Sequence, residues 1–131
     1  MTDSISDFII RLKNGSLANN QTVVSPHSKL RENLAQLLVK QNYLAGYKVD
    51  TTGKFKQLVI NLKSTGVKVN RLNIKLISKP GRRVYAQANQ LNRFSLGVGS
   101  VIISTPSGLM TTKQAYKAKL GGELLCRITI R

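Results

Sequence analysis

The sequence predicts an α+β protein of two small domains. Residues 1–66 form an N-terminal α-β-α-β-β domain, and residues 67–131 form a β-rich C-terminal domain with one short helix. Three observations carry this reading. Apolar residues recur at helical spacing in two early segments and alternate with polar ones in several later segments. Ser64-Thr65-Gly66 separates the two parts as a short linker. A chain of 131 residues that is 41% apolar is long enough for one compact domain or two small ones, and too apolar for a disordered basic tail.

Ile5, Phe8, Ile9 and Leu12 mark the first helix, with Asp3 or Ser4 as its cap and Asn14-Gly15 as its end. Asp3 and Asp7 fall near its first turn, where carboxylates favour the helix dipole. Thr22 to Ser25 is a β-prone run stopped by Pro26. Ser28 then caps a second helix whose apolar face is Leu30, Leu34, Leu37 and Leu38. Tyr43–Val49 and Gln57–Lys63 read as strands around a turn near Thr52-Gly53. Past the linker, Leu72, Ile74 and Leu76 alternate with Arg71, Asn73 and Lys75, a half-buried strand with a basic outer face. Lys79-Pro80-Gly81-Arg82 is a turn by its Pro-Gly pair, and Arg83 to Tyr85 continues extended. Residues 86–96 show no clear period. A strand ending at Thr105, a loop, a helix over Lys113–Leu120 and a closing strand Glu123–Ile130 complete the chain. Gly121 is placed as the left-handed cap of that last helix.

Charge narrows the partner. Twenty-one Lys and Arg against five Asp and Glu give +16, and dividing at Gly66 leaves +5 before and +11 after. From Thr51 to Gly122 there are thirteen bases and no carboxylate. Such a concentration is the electrostatic footprint of a nucleic-acid binder. A membrane surface could attract the same charge, but no basic helix carries a large apolar face and no apolar run is long enough to span, so no membrane partner is expected. One cysteine forms no internal disulfide, which suits a reducing compartment. Asp3 and Asp7 stand where a targeting peptide would be basic, so the protein is expected to stay where it is made.

The loop Ser104-Thr105-Pro106-Ser107-Gly108 offers three hydroxyls beside a residue with no side chain, and Thr111 follows at a helix N-cap. Small hydroxyls and bare backbone can enter the shallow groove of A-form RNA, which displays 2′-hydroxyls and phosphates. Lysines and arginines nearby attract without reading sequence. Lys79, Arg82 and Arg83 cluster at a turn as phosphate contacts, and Lys29 lies next to a helix N-terminus. Tyr85 suits base stacking or core packing equally. Glu123, the lone acid of its region, could orient a nearby base, accept from RNA groups or merely soften local repulsion. Blander readings stand beside these: Ser104 and Thr105 can simply end a strand, and Gly108 can be only a turn glycine.

Catalysis has little support. His27 is the only histidine, and Cys126 sits inside Leu124-Leu125-Cys126 as a small core residue. No His/Cys cluster has metal spacing, and Gly97-Val98-Gly99 lacks the context of a dinucleotide site, so neither metal nor other cofactor is expected. The alternatives to an RNA binder are a general DNA-binding architectural protein and, more weakly, a small nuclease.

Gly99 through Tyr116 resembles the signature of the small-subunit ribosomal protein S-eight family of bacteria and organelles. A glycine, two aliphatics, Ser104-Thr105, Gly108, Leu109-Met110 and Ala115 fall in its order. Arg11 to Gly15, Ser28-Lys29-Leu30, Ser78 to Gly81, Arg83-Val84-Tyr85 and Gly121 to Cys126 add matches along nearly the whole chain. Pro106 stands where many members have serine, and Thr112 where aspartate is frequent. The resemblance implies an α/β domain followed by a β-rich one, and primary binding to the central domain of small-subunit ribosomal RNA. It further implies neighbouring small-subunit ribosomal proteins as partners, residence in a cytoplasmic or organellar ribosome, and commonly repression of the protein's own messenger RNA. It also adds Gly121 and Gly122 to the RNA-facing residues.

Overall fold

The computed structural model describes residues 2–64 and 68–130. The expected linker, apart from Ser64, lies outside the described residues. Two compact units emerge, one built around Asp3–Asn73 and one of Ile74–Thr129. Helices and two antiparallel sheets make the fold α+β. Among the described residues no helix is long and apolar enough to cross a membrane.

The first unit contains α1 (Thr2–Leu17), β1 (Thr22–Pro26), α2 (Lys29–Lys40), β2 (Leu44–Asp50) and β3 (Gln57–Leu62). Its sheet has the order β1-β3-β2. Ile5, Phe8, Ile9 and Leu12 of α1, Leu34, Leu37 and Leu38 of α2, and Leu58, Ile60 and Leu62 of β3 are buried, as their periods require. Ser28 caps α2 by accepting from the Arg31 N–H at 3.1 Å.

The bounds of α1 differ from expectation at both ends. Asp3 and Ser4 lie inside the helix rather than at its cap, and Ser4 Oγ instead accepts from Arg31 Nε at 2.9 Å. Asn14-Gly15 is also internal. Gly15 is there because β1 crosses close by: a Cβ at this position would stand 2.4 Å from Val23 Cγ2. The helix stops at Asn19, which takes the left-handed conformation (φ 62°) while Asn20 N–H reaches back to Gly15 O at 3.0 Å. Asn42 (φ 66°) ends α2 in the same way, with Tyr43 N–H on Leu38 O at 2.9 Å.

Arg31 ties these elements together. Although buried, it donates to Ser4 Oγ, to Ser25 Oγ and to Asp7 Oδ2. Arg11 Nε donates to the same Asp7 oxygen at 3.1 Å, and this bond is the main reason the Asp7 carboxyl titrates below its ordinary range, with Arg31 adding to it.

The second unit holds β4 (Leu72–Leu76, which begins just before it), β5 (Tyr85–Ala86), a 3-10 turn at Ala88–Gln90, α3 (Leu91–Phe94), β6 (Ser100–Thr105), β7 (Gly108–Thr111), α4 (Thr112–Ala118) and β8 (Gly122–Ile130). The sheet runs β4-β8-β6-β7, and β5 also pairs with β8. Ala86, Leu91, Val101, Ile103, Ala115 and Leu124 form its buried cluster, with Ile77, Val84, Phe94 and Met110 against it. A register shift in the β6–β8 pairing sets Cys126 opposite Ile102 and Leu124 opposite Ile103, leaving Leu125 as the extra residue of a bulge.

Two expectations are corrected here, and a segment without a period proves to be structured. The segment 86–96 is helical in two short pieces, too brief to show a period, with Leu91 alone fully buried. Leu109-Met110 belongs to β7, so the loop closes a hairpin before α4 begins. The left-handed residue ending α4 is Lys119 (φ 59°), not Gly121, because the helix closes two residues earlier than expected, with Leu120 N–H bonding back to Ala115 O at 2.9 Å.

Two outcomes test this account. Gly15→Ala is expected to lower stability by about 1–2 kcal/mol, because overpacking outweighs alanine's better helix propensity. Adding Val23→Ala should remove the clash and recover part of that loss in urea denaturation. Asp7→Asn should cost about 0.5–1 kcal/mol at neutral pH, as partly exposed ion pairs do. Since the folded pKa lies below the unfolded 3.8, this contribution is present above pH 3.8 and fades as pH falls through the folded value. Denaturation curves of the two proteins should therefore converge in acid.

Candidate nucleic-acid interface

Strand pairing gathers residues that are far apart in sequence. Glu123 on β8 lies opposite Tyr85 on one side and Ser104 on the other, and Ser104 lies opposite Leu109. Directly paired residues share a face, so Tyr85, Glu123, Ser104 and Leu109 form one row across four strands. Tyr85 is 69% exposed, which decides between its two readings against core packing. Glu123 and Ser104 are half-buried. Glu123 Oε2 is buried and has no hydrogen-bond partner among the described residues. A buried acceptor left without a donor is costly and calls for a physical reason.

The neighbouring glycines let the strands come this close. A Cβ on Gly122 would lie 1.9 Å from Ser104 O, and one on Gly121 would lie 2.7 Å from Ala86 O. With Tyr85, Ala86, Gln87, Ala88 and Gln90, these glycines line a groove of about 620 Å³. A second groove of about 580 Å³ follows, between Ala88-Asn89 and Tyr116, Lys117 and Lys119. Tyr116, Lys117, Lys119 and Gln87 were not among the site residues expected from sequence. A tyrosine directly before Lys117, with Lys119 two residues further on, was the available signal, but the helical turn that faces it was not legible.

The hydroxyl loop is a hairpin tip. Thr105 pairs with Gly108, leaving Pro106-Ser107 as the connection. Proline holds its φ negative, which rules out the mirror-image turn that two-residue hairpins favour. The reversal falls on Gly108 instead, at φ 113°. A Cβ on Gly108 would meet nothing within 4 Å, so this backbone is open to an approaching partner.

The hydroxyls serve different ends. Thr105 is buried; its Oγ1 donates to Gly108 O at 2.8 Å and accepts from Ser107 N–H at 3.2 Å. Thr111 Oγ1 caps α4 by accepting from Gln114 N–H at 3.2 Å, while Gln114 Oε1 accepts from Thr111 N–H at 3.1 Å. Thr112 is buried beside Ser95, Oγ1 to Oγ at 3.2 Å. Ser107 is exposed, with only its backbone N–H engaged in the turn.

The Lys79–Arg82 turn is closed by paired backbone bonds of 2.9 Å, with left-handed Gly81 (φ 83°) following Pro80. Buried Ser78 anchors it, accepting from Val84 N–H at 2.9 Å. Lys79 and Arg82 are exposed and Arg83 is half-buried. Lys29 belongs to the first unit, at the first turn of α2; the other expected site residues all lie in the second. Burial pushes the Cys126 thiol up to about 12, so no thiolate forms near neutrality. Among the described residues no three His, Cys, Asp or Glu gather as metal ligands.

Thr105→Ala should lower unfolding stability by about 1–2 kcal/mol by removing both turn bonds, whereas Thr105→Ser should retain most of it. Thermal denaturation of the two variants checks this.

The family model described as Ribosomal protein S8 matches residues 3–129. The small ribosomal subunit protein uS8 of Chlorobium phaeovibrioides is 43% identical over 129 residues, 98% of each chain. The protein of that name from Saccharopolyspora erythraea is 42% identical over 126 residues, 95% of this chain and 96% of its own. That of Nocardia farcinica is 42% identical over 129 residues, 98% of each.

Proposed function

The chain belongs to the ribosomal protein S8 family, and from that membership we propose that its second unit docks the central domain of small-subunit ribosomal RNA on the row Tyr85–Glu123–Ser104 and the adjoining hairpin tip. As a family member it is a structural component of the small ribosomal subunit and not an enzyme. Glu123 carries the reading. Its buried oxygen lacks a donor among the described residues, and RNA offers donors in its 2′-hydroxyls and base amino groups.

Each residue then has a task set by its position. Tyr85 gives a base a surface to stack on, above the groove lined by Gly121 and Gly122. Ser104, Ser107 and the open backbone of Gly108 meet groups of the shallow groove. Thr105, Pro106 and Thr111 shape the tip from within. Lys79, Arg82 and Arg83 neutralise phosphates beside it, and Lys29 adds one from the first unit. Residues 67–131 carry most of the specificity. Binding here organises the surrounding RNA early in assembly, alongside neighbouring ribosomal proteins. A messenger element presenting the same groups would compete for the row, which extends the reading to repression of the protein's own messenger.

The test is binding to a central-domain RNA fragment. Neutralising about five to seven phosphates gives a slope of log affinity against log salt of roughly −4 to −6. Ser107→Ala should weaken binding by about 0.5–1.5 kcal/mol with the slope unchanged. Lys79→Ala should lower the slope by about one and weaken all RNAs alike. Equal affinity for duplex DNA of the same sequence would favour the architectural DNA-binding alternative, and strand scission in magnesium would favour the nuclease.

A further inference from the structure

The loop joining β2 to β3 carries an aromatic ring that the interface above does not use. Phe55 is 74% exposed, although a phenyl ring ordinarily contributes most by being buried. The loop around it is anchored. Asp50 Oδ1 accepts from the Thr52 N–H and hydroxyl at 3.0 and 2.6 Å, and Lys56 O accepts from His27 N–H at 3.1 Å. Lys54 Nζ stands 5.6 Å from the centre of the Phe55 ring, within range of its negative face. Lys56, the next residue, is exposed. Pro26, the last residue of β1, pairs with Gln57, the first of β3, so the start of α2 and Lys29 lie at this same end of the sheet.

An exposed ring with one lysine near its face and a second, exposed lysine next in sequence fits a nucleotide better than an apolar protein pocket. A pocket would strip water from both ammonium groups without replacing it. A nucleotide brings a π-face for the ring and phosphates for the lysines together. Two carboxylates stand at this end of the sheet, and both are already engaged: Asp50 accepts two bonds from Thr52, and Glu32 Oε1, in the first turn of α2, pairs with His27 Nε2 at 2.7 Å.

We propose that Phe55 is a second RNA contact, a platform on which one unpaired base stacks while Lys54 and Lys56 hold the flanking phosphates. The proposal rests on the RNA-binding reading of the chain, and it gives the first unit a base contact in addition to charge.

The chain contains no tryptophan, so Phe55→Trp in the full-length protein supplies a sole indole reporter. A central-domain fragment of small-subunit ribosomal RNA should bind this variant within about twofold of wild type and quench its fluorescence, since any base can stack on an aromatic face. Phe55→Ala and Phe55→Leu should each weaken binding by roughly 5- to 100-fold. Wild-type affinity in the alanine or leucine variant, or an unquenched indole in the bound complex, overturns the platform while leaving RNA binding by the second unit intact. If wild type fails to bind the fragment, the broader reading falls. Titration of Phe55→Trp with oligoadenylate then decides this one alone: salt-sensitive quenching supports the platform, and no quenching overturns it.

Discussion

Strand β8 reaches its neighbours only because two successive residues at its start have no side chain. The Ser104 carbonyl occupies the space that a Cβ of residue 122 would need, and the Ala86 carbonyl crowds that of residue 121. Any larger residue would push β5 or β6 away and break the register. The row of Tyr85, Glu123 and Ser104 exists only in that register. The constraint is thus one of backbone approach, and the chemistry of the face is its result.

Around that row, hydroxyls divide by burial rather than by type of chemistry. Thr105, Thr111 and Thr112 turn inward and close the hairpin, cap α4 and bond to Ser95. Ser107 stays outside, on a tip whose reversal falls on Gly108. The β-branched threonines are stiff at χ1 and suit fixed internal bonds. A basic protein with so few acids gains little cohesion from ion pairs. Among the described residues a convergent set, Arg31 with Asp7 and Arg11, lies in the first unit and joins α1, β1 and α2.

Much of this was legible in the sequence. The second helix, the strand around Leu58 and Ile60, the Pro-Gly turn and the α+β class all follow from periods and turn chemistry that tertiary structure did not override. Local reasoning failed where the cause was distant. Gly15 reads as a helix stop but answers to Val23 on another element, and Gly121 reads as a cap but answers to Ala86. The left-handed positions that end α1, α2 and α4 fell instead to residues with a side chain: Asn19, Asn42 and Lys119. Of the site, its residue types and their crowding between Ser104 and Glu123 were visible. Their common face was not, since it depends on the pairing of β5, β6 and β8 at once.

The fate of Cys126 follows from its place behind the bulge at Leu125. Opposite Ile102, shielded from water and held far from ionisation, its sulfur is protected in the closed unit from oxidants and alkylating reagents that act on thiolates. Chemical modification must wait for β8 to leave the sheet. The thiol therefore keeps time for local unfolding: its rate of reaction measures how often the central strand opens, in a chain whose fold otherwise conceals that event.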